Sequence, residues 1–213
     1  NLARTCGIDM PETRLFPSRR CAGFFGVKRF DRIPLTNGEI GKVHMVSAGG
    51  LLETSHRIAN LDYALLMRLT VRVTGGIKEC ERLYRLMCFN VFVGNRDDHA
   101  KNFSYLHDAE SGAWSLSPAY DLTENPGING EHTTAVNGKG RGITVEDMAD
   151  IGMKAGIPRT DAYRLRGTCA NASRMPVYRT QLKVDRTPSS EPDLTGSRFN
   201  GNDRRAGASW PGR

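Results

Sequence analysis

The sequence contains no apolar run near the roughly 18 residues that a membrane-spanning helix needs, which excludes an integral helical membrane protein. Its longest apolar stretches, around Leu65 to Leu69 and Leu86 to Val93, are broken by Arg68 and Asn90. No CxxC pair occurs among the five cysteines (Cys6, Cys21, Cys80, Cys88 and Cys169), and their number is odd. That argues against a zinc ribbon or a disulfide scaffold and for a reducing, cytoplasmic setting. The net charge of +7, from 30 Lys and Arg against 23 Asp and Glu, is not gathered into a dense basic block. A direct nucleic-acid-binding surface therefore ranks last among the functional readings. There is no GxGxxG or GxxxxGK(S/T) phosphate loop, no internal repeat and no signal-peptide pattern. The first residue is Asn1 rather than Met, and an N-terminal truncation is the expectation.

What is present is a globular composition, 38% hydrophobic and 25% charged over 213 residues, enough for one domain with a real core and a tail. Residues 1–10 read as the end of a helix closed by Gly7. Phe24 to Phe30 reads as a strand, rich in aromatic and branched residues, and Asn37-Gly38 as a turn. Leu61, Leu65, Leu66 and Leu69 recur at helical spacing, so an amphipathic helix is expected from Asn60 to about Val73, ending at Gly75-Gly76. A second runs through Cys80, Leu83, Met87 and Asn90 to Gly94. Phe103–Leu106 and Ala113–Leu116 flank the turn residues 108–112 and predict a hairpin. Thr144 with Asp147 opens a helix through Ala155, and a last helix spans Thr160 to about Ser173. From Pro176 onward periodicity disappears, and 176–213 reads as a disordered or non-native tail behind a domain at 1–175.

The chemistry lies in Gly94-Asn95-Arg96-Asp97-Asp98-His99-Ala100-Lys101-Asn102-Phe103, a polar loop between an apolar helix and a strand. Phosphoryl transfer from ATP needs a carboxylate to orient the attacking hydroxyl and oxygen ligands to hold Mg²⁺ on the phosphates. In protein kinases the catalytic Asp and the metal-binding Asn stand five residues apart, with a further Asp beyond the next hairpin. Asp97 and Asn102 have that spacing, Asp121 follows the expected hairpin, and Lys101 offers positive charge to the transferring group. The competing readings are a plain solvated turn and a metal hydrolase using Asp97, Asp98, His99, Asp121 and His132. The second ranks lower because the histidines are few and dispersed.

The same loop, followed by Leu116-Ser117-Pro118-Ala119-Tyr120-Asp121-Leu122, resembles the catalytic core of HipA-family toxins, serine/threonine kinases of bacterial toxin–antitoxin modules. Val27-Lys28-Arg29-Phe30-Asp31-Arg32 resembles that family's strand before the hinge, and Val43-His44-Met45-Val46-Ser47 the segment soon after it. The resemblance implies an α+β, mainly helical fold: a protein-kinase-like C-lobe with a short hinge strand and a catalytic-site β-hairpin. It implies Asp97 as general base with Lys101 beside it, and Asn102 and Asp121 as Mg²⁺ ligands. It places Lys28, Arg29 and Phe30 at the hinge, where backbone groups hold the adenine of ATP, with His99, Lys101, Asn102, Tyr120 and Asp121 completing the nucleotide contacts. Implied partners are a HipB-like antitoxin, through which any DNA contact would run, and a protein substrate such as an aminoacyl-tRNA synthetase. The family's phosphate-binding loop and phosphate-pairing lysine have no counterpart in these residues. The alternative is therefore a catalytically dead remnant that serves as an antitoxin-binding module.

Overall fold

A computed structural model describes residues 2–55 and 60–173 of the chain. The expected tail from 176 lies outside the described residues. In chain order the elements are helix α1 (Leu2–Thr5), strands β1 (Thr13–Phe16), β2 (Phe24–Val27), β3 (Arg32–Pro34), β4 (Ile40–Lys42) and β5 (His44–Ser47), then helix α2 (Ala48–Leu51). Strand β6 (Leu61–Asp62) leads into helices α3 (Tyr63–Thr74) and α4 (Ile77–Val93). A single 3₁₀ turn at Ala100–Asn102 precedes β7 (Ser104–His107) and β8 (Trp114–Leu116), and β9 (Thr134–Ala135), α5 (Val145–Lys154) and α6 (Arg159–Ser173) follow. The class is mixed α and β, with helix outweighing strand.

The helices form where periodicity and caps agree. The Asp62 side chain accepts the Ala64 N–H to start α3, and Gly75 closes it in the left-handed conformation. Helix α4 is buried along most of its length: Cys80, Leu83, Tyr84, Met87 and Cys88 are inaccessible to solvent. Each large apolar side chain there contributes about 2 kcal/mol of burial, an upper estimate. Thr144 and Asp147 bond reciprocally as a capping box at the start of α5. Helices α3, α5 and α6 pack around α4, and Gly152 of α5 lets the Tyr84 ring approach: a methyl group there would lie 2.9 Å from Cε2.

The sheets are small. Strands β5, β7 and β8 form an antiparallel sheet with His44 opposite His107 and His107 opposite Trp114, so the expected hairpin is present as β7–β8. Strands β1–β2 and β3–β4 are separate antiparallel pairs, the second closing through Asn37-Gly38, and β6 pairs with β9 in parallel. One expectation needs correction. The strand expected over Phe24–Phe30 ends at Val27, and Lys28 adds one more backbone bond, its N–H donating to the Glu12 carbonyl at 2.8 Å. Beyond it the chain curls because the buried Asp31 carboxylate captures both flanking arginines. Arg29 donates through Nε at 2.8 Å and Nη2 at 2.6 Å, and Arg32 through Nη1 at 2.5 Å.

Candidate active site

Helix α4 ends at Gly94 (φ 69°), whose N–H returns to the Asn90 carbonyl. This left-handed residue turns the chain sharply out of the core and launches the polar loop. Asn95 remains tied to the helix end, its N–H on the Asn90 carbonyl at 3.0 Å and its Nδ2 on Asn90 Oδ1 at 3.1 Å. The loop is then hemmed in by the segment after Asp121. The Arg96 N–H bonds the Asn125 carbonyl at 3.3 Å, and the Thr133 N–H bonds the Arg96 carbonyl at 3.0 Å. Gly127 (φ 68°) makes that approach possible, since a Cβ there would meet the Glu131 carbonyl oxygen at 2.3 Å and Arg96 Cβ at 2.8 Å.

Within this frame Asp97 points toward solvent, with His99 Nε2 4.0 Å from its Oδ1. Asn102 closes the loop: its Nδ2 donates to the Asp97 carbonyl at 2.9 Å, and its own N–H bonds the His99 carbonyl at 2.9 Å. Lys101 is exposed on the 3₁₀ turn. Tyr120 joins the next segment to this turn. Its hydroxyl donates to the Lys101 carbonyl and so accepts from Ser104 Oγ at 2.6 Å. Burial raises the Tyr120 phenol above its ordinary value, which keeps it a donor. Asp121 follows at φ 55°, an exposed non-glycine residue in the left-handed region, with no hydrogen-bond or ion-pair partner among the described residues.

Lys28, Arg29 and Phe30, the residues expected at a hinge, reach Tyr120 from another segment of the chain. The Phe30 and Tyr120 rings lie 5.5 Å apart at 41°. They line, with Val27, Lys28, Arg29, Asp31 and Met45, a cleft of about 220 Å³. The Lys28 N–H is spent on Glu12, whereas the Arg29 and Phe30 N–H groups have no backbone partner among the described residues. A second cavity, bounded by Gly7, Asp9, Arg82 and Ala119, measures only about 20 Å³, room for one water.

The residues fit a magnesium–nucleotide pair in chemistry. Because Asn102 commits its Nδ2 to the loop, its amide oxygen is left to a cation, and Asp121 supplies an unpaired carboxylate; both are hard oxygen donors. The metal-hydrolase alternative fares worse. Asp98 and His132 are buried and bonded to each other, and the described residues hold no group of three His, Cys, Asp or Glu able to bind a metal. Sequence reasoning gave no role to two contributors: Asp31, which fixes Arg29 at the cleft, and Met45, from β5; Asp98 and His132, singled out as candidate metal ligands, are instead bonded to each other across 34 residues.

Fold and loop together define an α+β protein that presents an Asp, Lys and Asn loop beside an apolar cleft. The HipA-like C-terminal domain model matches residues 1–175, and the chain belongs to that family. It is 30% identical over 173 residues to the Sinorhizobium fredii protein named "Putative kinase Y4dM", an alignment covering 72% of this chain and 40% of that protein. Its fold is similar to HipA in the Shewanella oneidensis MR-1 complex of HipA, HipB and operator DNA. There the TM-score is 0.68 at 17% identity, over 89% of this chain and 49% of that one. The chain thus spans half or less of the length of these relatives. Among the described residues no helix is long and apolar enough to cross a membrane.

Proposed function

We propose that this chain carries the catalytic loop of a serine/threonine protein kinase of the HipA toxin type, in the manner of a kinase C-lobe, within the domain at 1–175. The observation that supports it best is the convergence at Tyr120. One residue packs on hinge Phe30, bonds the Lys101 carbonyl and immediately precedes Asp121. In this reading the adenine of ATP sits in the cleft against Phe30, Tyr120 and Met45, with the Arg29 and Phe30 main chain as its hydrogen-bonding edge. His99 and Lys101 face the nucleotide, and Lys101 places positive charge where the transferring phosphoryl group passes. Asp97 orients the attacking Ser or Thr hydroxyl and receives its proton. Asn102 Oδ1 and the Asp121 carboxylate would hold Mg²⁺, which when bound neutralises charge on the phosphates.

By the same reading the protein belongs to a cytoplasmic toxin–antitoxin pair. It meets a HipB-like antitoxin, contacts DNA through that partner, and acts on a protein of the translation machinery such as an aminoacyl-tRNA synthetase. Calorimetric titration of Mg²⁺–ATP into this chain tests the site. Asp121→Asn is the right control, because asparagine tolerates the left-handed backbone at φ 55° and removes only the charge. Binding that is lost in the variant supports the proposal; a folded chain that binds no Mg²⁺–ATP, or a variant that binds as tightly as the parent, contradicts it.

A further inference from the structure

Asp97 and Asp98 are neighbours with opposite surroundings. The Asp97 side chain is 51% exposed, that of Asp98 is fully buried. A buried carboxylate persists only where donors satisfy it, and Asp98 has three. Its Oδ2 accepts from the Tyr63 hydroxyl at 3.0 Å and from His132 Nδ1 at 3.0 Å, and its Oδ1 from the Thr134 N–H at 3.1 Å. Facing a carboxylate, which has no proton to give, His132 Nδ1 is the donor of that pair. The Thr134 hydroxyl donates in turn to the Asp98 carbonyl. Behind Tyr63 the chain of bonds continues, Asn90 Nδ2 to the Tyr63 hydroxyl at 3.0 Å and Asn95 Nδ2 to Asn90 Oδ1 at 3.1 Å. Burial first, and the Asp98 charge second, hold the Tyr63 phenol well above its ordinary value, so it remains a donor.

These bonds constrain the residue next door. Peptide units are planar, so pinning a carbonyl fixes the orientation of its whole plane. The plane before Asp97 is pinned by the Thr133 N–H at 3.0 Å and hydroxyl at 3.1 Å on the Arg96 carbonyl. The plane after it is pinned by Asn102 on the Asp97 carbonyl. Thr133 lies between His132 and Thr134, the two residues that grip Asp98. We infer that Asp98 and His132 form a clasp whose work is positioning: Asp98 is the residue that aims the Asp97 carboxylate, and His132 couples the segment after Asp121 to the loop. The clasp sets the metal-binding segment and the base loop in register through one buried carboxylate. Its consequence for turnover rests on the kinase reading above; its mechanical content does not.

Replacing Asp98 would orphan three buried donors and endanger the fold, so the test is made at His132. Backbone amide exchange is followed by NMR in the 213-residue chain, in His132→Ala and in His132→Asn, whose Nδ2 falls near the position of the histidine Nδ1. In His132→Ala, exchange at Asn95, Arg96, Thr133 and Thr134 is expected to accelerate about tenfold or more, while the core of α4 is unchanged. The asparagine variant is expected to restore protection to within about threefold, a rescue that simple loss of packing does not predict. Unchanged exchange in a folded alanine variant, acceleration spread equally through α4, or no rescue by asparagine overturns the clasp. Should the alanine chain fail to fold, the asparagine chain decides alone: protected amides support the clasp, accelerated ones refute it. Mg²⁺–ATP titration of the same samples separates the two ideas, since a parent chain that binds no nucleotide defeats the kinase reading and leaves the exchange comparison to judge the clasp.

Discussion

Between Ile8 and Ala48 no hydrophobic side chain is fully buried, whereas α3, α4, α5 and α6 share one continuous core with Ala48, Phe103, Tyr105 and Val136. The hairpins β1–β2 and β3–β4 instead expose Leu15, Phe24, Phe25, Ile33 and Ile40, with Phe25 and Ile40 each 70% accessible. A two-stranded hairpin has little stability of its own in water. The cleft thus has on one side Met45 of the β5–β7–β8 sheet and Tyr120, bonded to Ser104 and Lys101, and on the other residues 27–31, held by local contacts, chiefly the Asp31 ion pairs and the Phe30–Tyr120 contact. The contrast shows where preorganisation resides: the loop of Asp97 and Asn102 is locked by the fold, and the hinge wall is not.

The largest expected effect falls on the locked side. On the kinase proposal, Asp97→Asn should lower phosphoryl transfer from γ-labelled ATP about a thousandfold. Its urea midpoint should stay at the parental value, because the side chain is half exposed and the His99 ring stands only at the limit of reach, Nε2 4.0 Å from Oδ1. An Asp97→Asn chain that transfers phosphate at the parental rate would remove the residue from its role. Next, the helical core and the exposed hairpins should differ in stability. Met87→Ala, in the middle of α4, should cost about 2–5 kcal/mol in urea unfolding. Phe25→Ala, on the exposed hairpin, should cost within about 0.5 kcal/mol. Comparable losses at the two sites would erase the distinction drawn between them.

The smallest effect concerns pH. The Arg29 guanidinium, with Arg32, holds the Asp31 carboxyl below its ordinary value of 3.8. The folded state therefore favours the ionised form, and its contribution is present above pH 3.8 and disappears as pH falls through the depressed value. Because Arg29 is mostly exposed, the contribution is under about 1 kcal/mol. Amide exchange across residues 27–33 should quicken on acidification below that point, and Asp31→Asn should remove the pH dependence. A profile that is flat in the parent would show that the arginines do not hold the turn.

How much of this was legible in the sequence follows the same divide. Helices α3 and α4 announced themselves through 3.6-residue periodicity and the closing glycines Gly75 and Gly94, and α5 through its Thr144 cap. The β7–β8 hairpin was visible in its turn residues. The strands of the hinge wall were not, apart from β2: Thr13–Phe16 sits between prolines without alternation, and β3 and β4 are three residues each. The parallel pair β6–β9 joins two-residue segments 73 positions apart in register, Leu61 with Thr134, which no local pattern encodes. Asp97, Asn102 and Asp121 could be singled out because their spacing matches the Asp, Asn and further Asp of protein kinases, and Lys101 because it stands between them. Asp98 was legible as a candidate metal ligand alongside His132, and only the fold reveals that Tyr63, His132 and Thr134 surround and satisfy it.

The most direct test of the account is an amide-exchange footprint of the whole chain with and without saturating Mg²⁺–ATP. Slowed exchange is expected at two separated stretches, residues 28–31 and residues 95–103 of the loop, with the larger gain at 28–31 because that segment is the less constrained one. Protection confined to the small cavity around Gly7 and Arg82, or no change at either stretch in a chain that binds the nucleotide, would contradict it.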